Sequence, residues 1–267
     1  MADRIAEGVW WLHGTRGSNV YAIEAGGELA LVDTGFRDSL VPILAELESI
    51  APGRRLHRIL LTHAHRDHSG AAAALRSETG ARVVAGIGDT HLDRSGFRVL
   101  ASGPSRHRIV SRLARALARR PVIVAGIEVD EALEGDGEVI PGLRAVHVPG
   151  HTAGSYCFVL DDRGIAFVGD LVISHPARLA RPMAMTNADD RQYLESLAAF
   201  AATAPPSGCP GHGNPVIGTF AEAIRETASH PRRHILAPSL LFERARMLAR
   251  FTGRVARRRL PVHHRLP

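Results

Sequence analysis

The sequence predicts an α/β fold, and three observations carry that prediction. Strand-like runs alternate with helix-period runs over the first third of the chain. Glycine turns punctuate the alternation, and metal-ligand residue types cluster directly after apolar runs. In order, Val9-Trp10-Trp11-Leu12-His13, Asn19-Val20-Tyr21-Ala22-Ile23 and Leu29-Ala30-Leu31-Val32 read as strands, separated by Gly14, Gly17 and Gly26-Gly27. Asp38 reads as a helix N-cap, because Leu40, Ile43, Leu44 and Leu47 follow at helical spacing and Ala51-Pro52-Gly53 ends the run. A strand over residues 56–62, a helix over 69–78 closed by Gly80, and the strand Ala81-Arg82-Val83-Val84-Ala85 complete a β-α-β-α-β alternation.

The pattern then changes. Over residues 90–121 a helical insertion is predicted, since Arg108, Arg112, Arg115 and Arg119 form one stripe and Ile109, Leu113, Ala116 and Leu117 another. This segment is expected to flank the pocket and to shape substrate choice. Strand signals return at Val122-Ile123-Val124, Leu143-Arg144-Ala145-Val146-His147 and residues 156–160 and 165–168. Asp189 and Gln192 resemble a capping box, with Leu194, Leu197, Ala198 and Ala201 as the apolar face of the helix that follows. Ten arginines lie from Arg232 onward. The division expected is a main domain over residues 1–230 and an arginine-rich helix and tail over 231–267.

Composition narrows the class. At 267 residues and 45% hydrophobic content the chain can bury a full core, which excludes global disorder. The net charge is +6, and all 33 basic residues are arginine. Two cysteines, Cys157 and Cys209, cannot build a disulfide framework. The first residues, Met1-Ala2-Asp3-Arg4-Ile5-Ala6-Glu7, have no apolar core of a signal peptide, and no apolar run reaches membrane-spanning length. The expectation is a cytoplasmic protein without membrane insertion.

The segment Thr62-His63-Ala64-His65-Arg66-Asp67-His68 packs three imidazoles and a carboxylate into six residues. A chance His-x-His-x-Asp-His is expected on the order of two times in a thousand such sequences. An apolar run leads straight into it, so the ligand types sit at a strand end, where a rigid element can hold a metal. Further ligand types stand beside glycine after other strand-like runs: His151 in Pro149-Gly150-His151-Thr152, Asp170 in Val168-Gly169-Asp170, and His212 in Pro210-Gly211-His212-Gly213. Singly such pairs mean little, but together they suggest one site.

With these motifs the chain resembles the metallo-β-lactamase-fold hydrolase superfamily, in its glyoxalase II-like branch. The resemblance runs from about Val9 to Val216 and includes Val32-Asp33-Thr34-Gly35. It implies a four-layer αβ/βα sandwich with the site at the top of two sheets. It also implies that His63, His65 and His151 hold one metal and Asp67, His68 and His212 a second, with Asp170 bridging. Two Zn²⁺ ions per chain suit these donors, with iron or manganese as substitutes. The implied reaction is hydrolysis of a small acyl substrate (ester, thioester or lactone) by a bridging hydroxide that the metals activate, with Asp67 orienting it as the catalytic carboxylate. Asp33 reads either as a hydrogen-bonding support for the ligand loop or as a turn residue without contact to the site.

After Asp170 the chain reads Leu171-Val172-Ile173-Ser174-His175-Pro176-Ala177-Arg178, where glyoxalase II enzymes and related iron dioxygenases carry a Gly-Cys-Gly-Arg-type segment. His175, Arg178 and Arg181 read as a solvated loop or as contacts for an acidic substrate. His147 reads as a packed or supporting histidine and Cys209 as a small buried residue. The alternative function is a metal-dependent nuclease or nucleic-acid-binding protein that uses the basic helix and tail. A complete ligand set, and only 5% aromatic residues, favour a small-molecule hydrolase with no nucleic-acid partner.

Overall fold

Residues 2–93, 96–100, 126–176 and 178–231 are described by the computed structural model, and in them two β-sheets pack face to face between helices. The first sheet is built from β1 (Asp3–Ala6), β2 (Val9–Leu12), β3 (Val20–Ala25), β4 (Glu28–Val32), β5 (Leu56–Leu60) and β6 (Arg82–Gly86). A small antiparallel hairpin, β7 (Thr90–Leu92) with β8 (Arg98–Leu100), then precedes β9 (Glu131–Leu133), which joins the sheet edge beside β6. Strands β1 to β4 run antiparallel, whereas β4, β5, β6 and β9 run parallel. Gly26 and Gly27, both at positive φ, close the two-residue turn between β3 and β4.

The second sheet orders β10 (Gly137–Ile140), β11 (Leu143–His147), β12 (Tyr156–Leu160) and β13 (Ile165–Gly169) antiparallel. A short hairpin, β14 (Ile173–His175) with β15 (Arg178–Ala180), stands apart before β16 (Ser207–Pro210) pairs parallel to β13.

The central strands are apolar on both faces because both faces are covered. In β4, Ala30 and Val32 face the second sheet while Leu29 and Leu31 join the cluster with Ile43 and Leu47 of α1 (Leu40–Ile50). The same cluster takes in Ala72 and Leu75 of α3 (Ala72–Thr79), which follows the short α2 (Arg66–Ser69). In β13, Ile165 and Phe167 face inward, and Ala166 and Val168 pack with Tyr193, Leu197 and Phe200 of α4 (Asp190–Thr203) and Ile224 of α5 (Phe220–Ser229). The layering is therefore α, β, β, α, as the resemblance implies. Among the described residues no helix is long and apolar enough to cross a membrane.

Several local expectations change. Asp38 lies in a 3₁₀ turn over Arg37–Ser39 and pairs with Arg16 at 2.7 Å, so it does not cap α1. The helix expected over 69–78 is α3, which starts at Ala72 and runs to Thr79, and the short α2 ends at Ser69 before it. The start of the insertion is the β7–β8 hairpin and not helix, while the arginine-striped helix and the strand at 122–124 lie outside the described residues, as does nearly all of 231–267. Asp189 does cap α4, accepting from the Arg191 and Gln192 N–H groups, but its own N–H donates to the Gly150 carbonyl, where a capping box would have Gln192 reach back. The buried face of α4 is Tyr193, Leu197, Phe200 and Ala201; Ala198 is exposed.

Candidate metal centre

Strand direction sets the site. β4, β5 and β6 are parallel and end at one rim of the first sheet, while β11, β13 and β16 share a direction in the second. The predicted ligands follow β5 (His63, His65, Asp67, His68), β11 (His151), β13 (Asp170) and β16 (His212). The sheets are tied at this rim by the Tyr156 N–H donating to the Thr62 carbonyl at 2.8 Å. Gly169, at φ +48°, turns the chain there; a Cβ on it would sit 2.5 Å from the Thr62 hydroxyl.

All seven predicted ligands come together, in two groups. His63, His65, His151 and Asp170 form one, and Asp67, His68 and His212 the other. In the first, His65 Nδ1 lies 3.0 Å from His63 Nε2 and 3.1 Å from His151 Nε2, and Asp170 Oδ2 is 3.4 Å from His151 Nε2. In the second, His212 Nε2 is 3.3 Å from Asp67 Oδ2 and 3.4 Å from His68 Nε2. The other oxygen of Asp170, Oδ1, is 3.3 Å from His68 Nε2 and 3.4 Å from His212 Nε2. One carboxylate thus presents an oxygen to each group. Asp170 Oδ1 is buried without a hydrogen-bond partner, which is costly unless a cation satisfies it.

The outward-facing nitrogens explain why the imidazoles point as they do. His68 Nδ1–H donates to Asp33 Oδ2 at 2.7 Å and His151 Nδ1–H to Asn187 Oδ1 at 2.8 Å. The Thr62 hydroxyl donates to Asp33 at 2.8 Å, leaving its oxygen to accept from His63 Nδ1 at 3.1 Å. Each bond selects the tautomer whose Nε2 lone pair faces the centre. Asp33 therefore touches the site through His68 and Thr62, and it does so from a left-handed backbone at φ +59°. Sequence reasoning missed Asn187, which enters from the turn before α4, 36 residues after His151 in the chain. It also missed Asn19, whose amide donates to the carbonyls of Pro210 at 2.9 Å and Gly213 at 2.6 Å and so holds the His212 turn.

His147 is no part of the cluster; its Nε2 meets the Ala153 carbonyl and its ring stacks on Tyr156. Cys209 is buried, and burial pushes its thiol up, as a packing residue requires. His175 and Arg178 pair across the β14–β15 hairpin, and the Ser174 N–H donates to the His212 carbonyl at 2.9 Å.

The electrostatics suit cations. Burial, followed by the neighbouring imidazoles, pushes His63 well below 6.5, and burial with His151 lowers His65 to about 4. Burial opposes ionisation of Asp67, but the His212 hydrogen bond together with the charges of His68 and His212 outweighs it and brings this carboxyl to about 2. For Asp170 burial is likewise outweighed, by His212 and His68, and the carboxyl stays well below its usual range. His68 is pulled down by burial but held raised by Asp33 and Asp170. The centre thus holds ionised carboxylates, with His63 and His65 proton-poor and His68 and His212 raised by the carboxylates beside them. Imidazole and carboxylate together are a donor set suited to Zn²⁺ and its neighbours in the first transition row.

Residues 13–214 match the family model of the metallo-beta-lactamase superfamily. The chain belongs to that superfamily. A lactamase-like protein, aptB of Emericella nidulans, is 27% identical over 243 residues, covering 90% of this chain and 64% of its own length. The hydroxyacylglutathione hydrolase of Cereibacter sphaeroides (strain ATCC 17025) is 35% identical over 150 residues, covering 56% of this chain and 45% of its own. Among solved structures, the metallo-beta-lactamase family protein TTHA1429 of Thermus thermophilus aligns with a TM-score of 0.61 at 22% identity, covering 92% of this chain and 82% of that one. The chain spans between 45% and 64% of the length of these curated relatives.

Proposed function

We propose that the protein is a dinuclear zinc hydrolase of a small acyl substrate: an ester, thioester or lactone. The observation that carries the reading is Asp170, whose two oxygens face two separate donor groups while one of them lacks any hydrogen bond. His63, His65 and His151 would hold one ion, Asp67, His68 and His212 the other, and Asp170 both. Two such ions supply a water acidic enough to ionise near neutral pH, and positive charge for the oxyanion that develops on the attacked carbonyl.

The chain's own groups do the rest. Asp67 is ionised at any working pH, so it accepts a hydrogen bond from the attacking water and fixes its direction. His63, His68 and His151 are kept in the tautomer that faces inward by Thr62, Asp33 and Asn187. The β14–β15 hairpin occupies the stretch just after Asp170 and rests on the His212 turn. Its sequence lacks the Gly-Cys-Gly-Arg-type segment, which argues for an acyl group carried on something other than glutathione. The name of the relative from Cereibacter sphaeroides supports hydrolysis of an acyl compound as the reaction class.

The test is elemental analysis of the purified protein followed by a panel of thioesters, lactones, β-lactams and phosphodiesters. Two zinc ions per chain are expected, with turnover confined to the acyl substrates and lost in Asp170→Ala. One tightly held iron without zinc, or cleavage of phosphodiesters alone, would overturn the proposal.

A further inference from the structure

Asp89 follows β6 in a one-turn 3₁₀ segment, Ile87–Asp89, and belongs to none of the ligand motifs. It is nevertheless 5% exposed, and both its oxygens are occupied. Oδ2 accepts the N–H of Ala64 at 2.8 Å, and Ala64 is the residue between His63 and His65. The same oxygen accepts the Thr152 hydroxyl at 2.7 Å, and Oδ1 accepts the Gly154 N–H at 2.9 Å; these residues stand one and three positions after His151. One carboxylate therefore joins a loop of the first sheet to a loop of the second, and each loop carries ligands of the same group. The backbone is shaped for this approach: a Cβ on Gly154 would lie 2.8 Å from the Asp89 carboxyl carbon, and one on Gly88 would lie 2.5 Å from the Ala153 carbonyl oxygen.

We propose that Asp89 is the positioning residue of the three-histidine half of the centre: it sets the distance between the His63–His65 loop and the His151 loop, and so the affinity of that half for its ion. The second group lacks this dependence. Asp67, His68 and His212 are held by Asp33, by the Ser18 N–H donating to the Asp67 carbonyl, and by Asn19. All three donors to Asp89 need an acceptor. An amide at this position would turn its NH₂ toward at least one of them in either orientation, so asparagine is a poor substitute despite its equal size.

The inference rests on the two-ion reading, and the experiment separates the two. Zn²⁺ affinity is measured by competition with a chromophoric chelator in two backgrounds. His212→Ala leaves the three-histidine half intact, and His65→Ala leaves the other. Adding Asp89→Asn to His212→Ala is expected to weaken binding by about tenfold or more, the range seen when groups behind metal ligands are removed. Adding it to His65→Ala should change binding less than about twofold. Equal losses in both backgrounds would reveal a general structural role and overturn the assignment, as would no loss in either. Should Asp89→Asn fail to fold, Thr152→Val removes one of the three donors. A loss of a few-fold, confined to the His212→Ala background, then supports the proposal, and unchanged binding overturns it. Failure of the wild-type protein to bind two ions would instead sink the dinuclear reading itself.

Discussion

At the scale of single residues, the titration of the centre has a definite sign. His65, lowered to about 4 by burial and His151, binds its proton more weakly in the folded chain than at its usual 6.5. A depressed value means stability that is fully present above 6.5 and lost as pH falls through 4, because the unfolded chain takes up the proton first. His63 is shifted in the same direction by burial. The raised groups, His68 and His212, act in another window: both folded and unfolded forms are protonated below 6.5, so their contribution changes only above it. Between pH 6.5 and 4 the chelator-stripped protein should therefore lose stability with a slope to which His65 adds up to about 1.4 kcal/mol per pH unit. Urea melts at pH 4.5, 5.5 and 6.5 check this, and His65→Ala should flatten the slope. An unchanged slope in the variant would mean that His65 is not the titrating group.

The residues that were legible in the sequence are those whose chemistry is concentrated. His63, His65, Asp67 and His68 sit within six positions after an apolar run, and the lone ligands His151, Asp170 and His212 each stand beside glycine. Their supports were not legible. Asn187, Asn19 and Asp89 are single polar residues in no repeating pattern, and each acts on a ligand loop that only the fold brings near, Asn19 from 191 residues away.

At the scale of elements, strands read better than helix starts. A strand buried on both faces is an apolar run whatever its neighbours, as β4, β12 and β13 are. A helix start depends on which polar side chain wins a local competition. Asp38 has the right residue type, but Arg16 claims its carboxylate and a 3₁₀ turn takes the place of a cap. Among the described residues Asp189 meets no such competitor, and it accepts the Arg191 and Gln192 N–H groups at 3.0 Å each. Its removal has a predictable effect. Asp189→Ala should destabilise the fold by about 1 kcal/mol, and Asp189→Asn by less, because asparagine also caps. Thermal melts of the two variants decide; equal loss in both would point to charge and away from capping. On α4 the expected Leu197 and Ala201 are buried and Leu194 packs at the edge of the cluster, but Ala198 is exposed, because Tyr193 and Phe200, with more area to bury, fill the face that joins Val168 and Leu171.

At the scale of the whole molecule, the question is whether the positive charge serves the reaction. The net charge is +6, and the arginines of residues 254–265 lie beyond His212, the last predicted ligand, and beyond the family match that ends at residue 214. All seven predicted ligands, and the groups that orient them, fall within residues 18–212. If acyl hydrolysis is the reaction, a chain ending before Arg254 should keep kcat/KM within about twofold of the full chain, since that segment carries none of the predicted ligands and its charge would act on a small substrate mainly through steering. Any affinity of the full chain for RNA or DNA should be weak and should fall steeply between 50 and 200 mM salt, as contacts that work through counterion release do. A nuclease would behave in the opposite way, because its substrate is a polyanion that such a tail would hold: the truncation should then slow phosphodiester cleavage many-fold. Cleavage and binding by both chains at the two salt concentrations separate these cases. Tail-dependent cleavage that survives the higher salt would reassign the centre from acyl to phosphodiester chemistry.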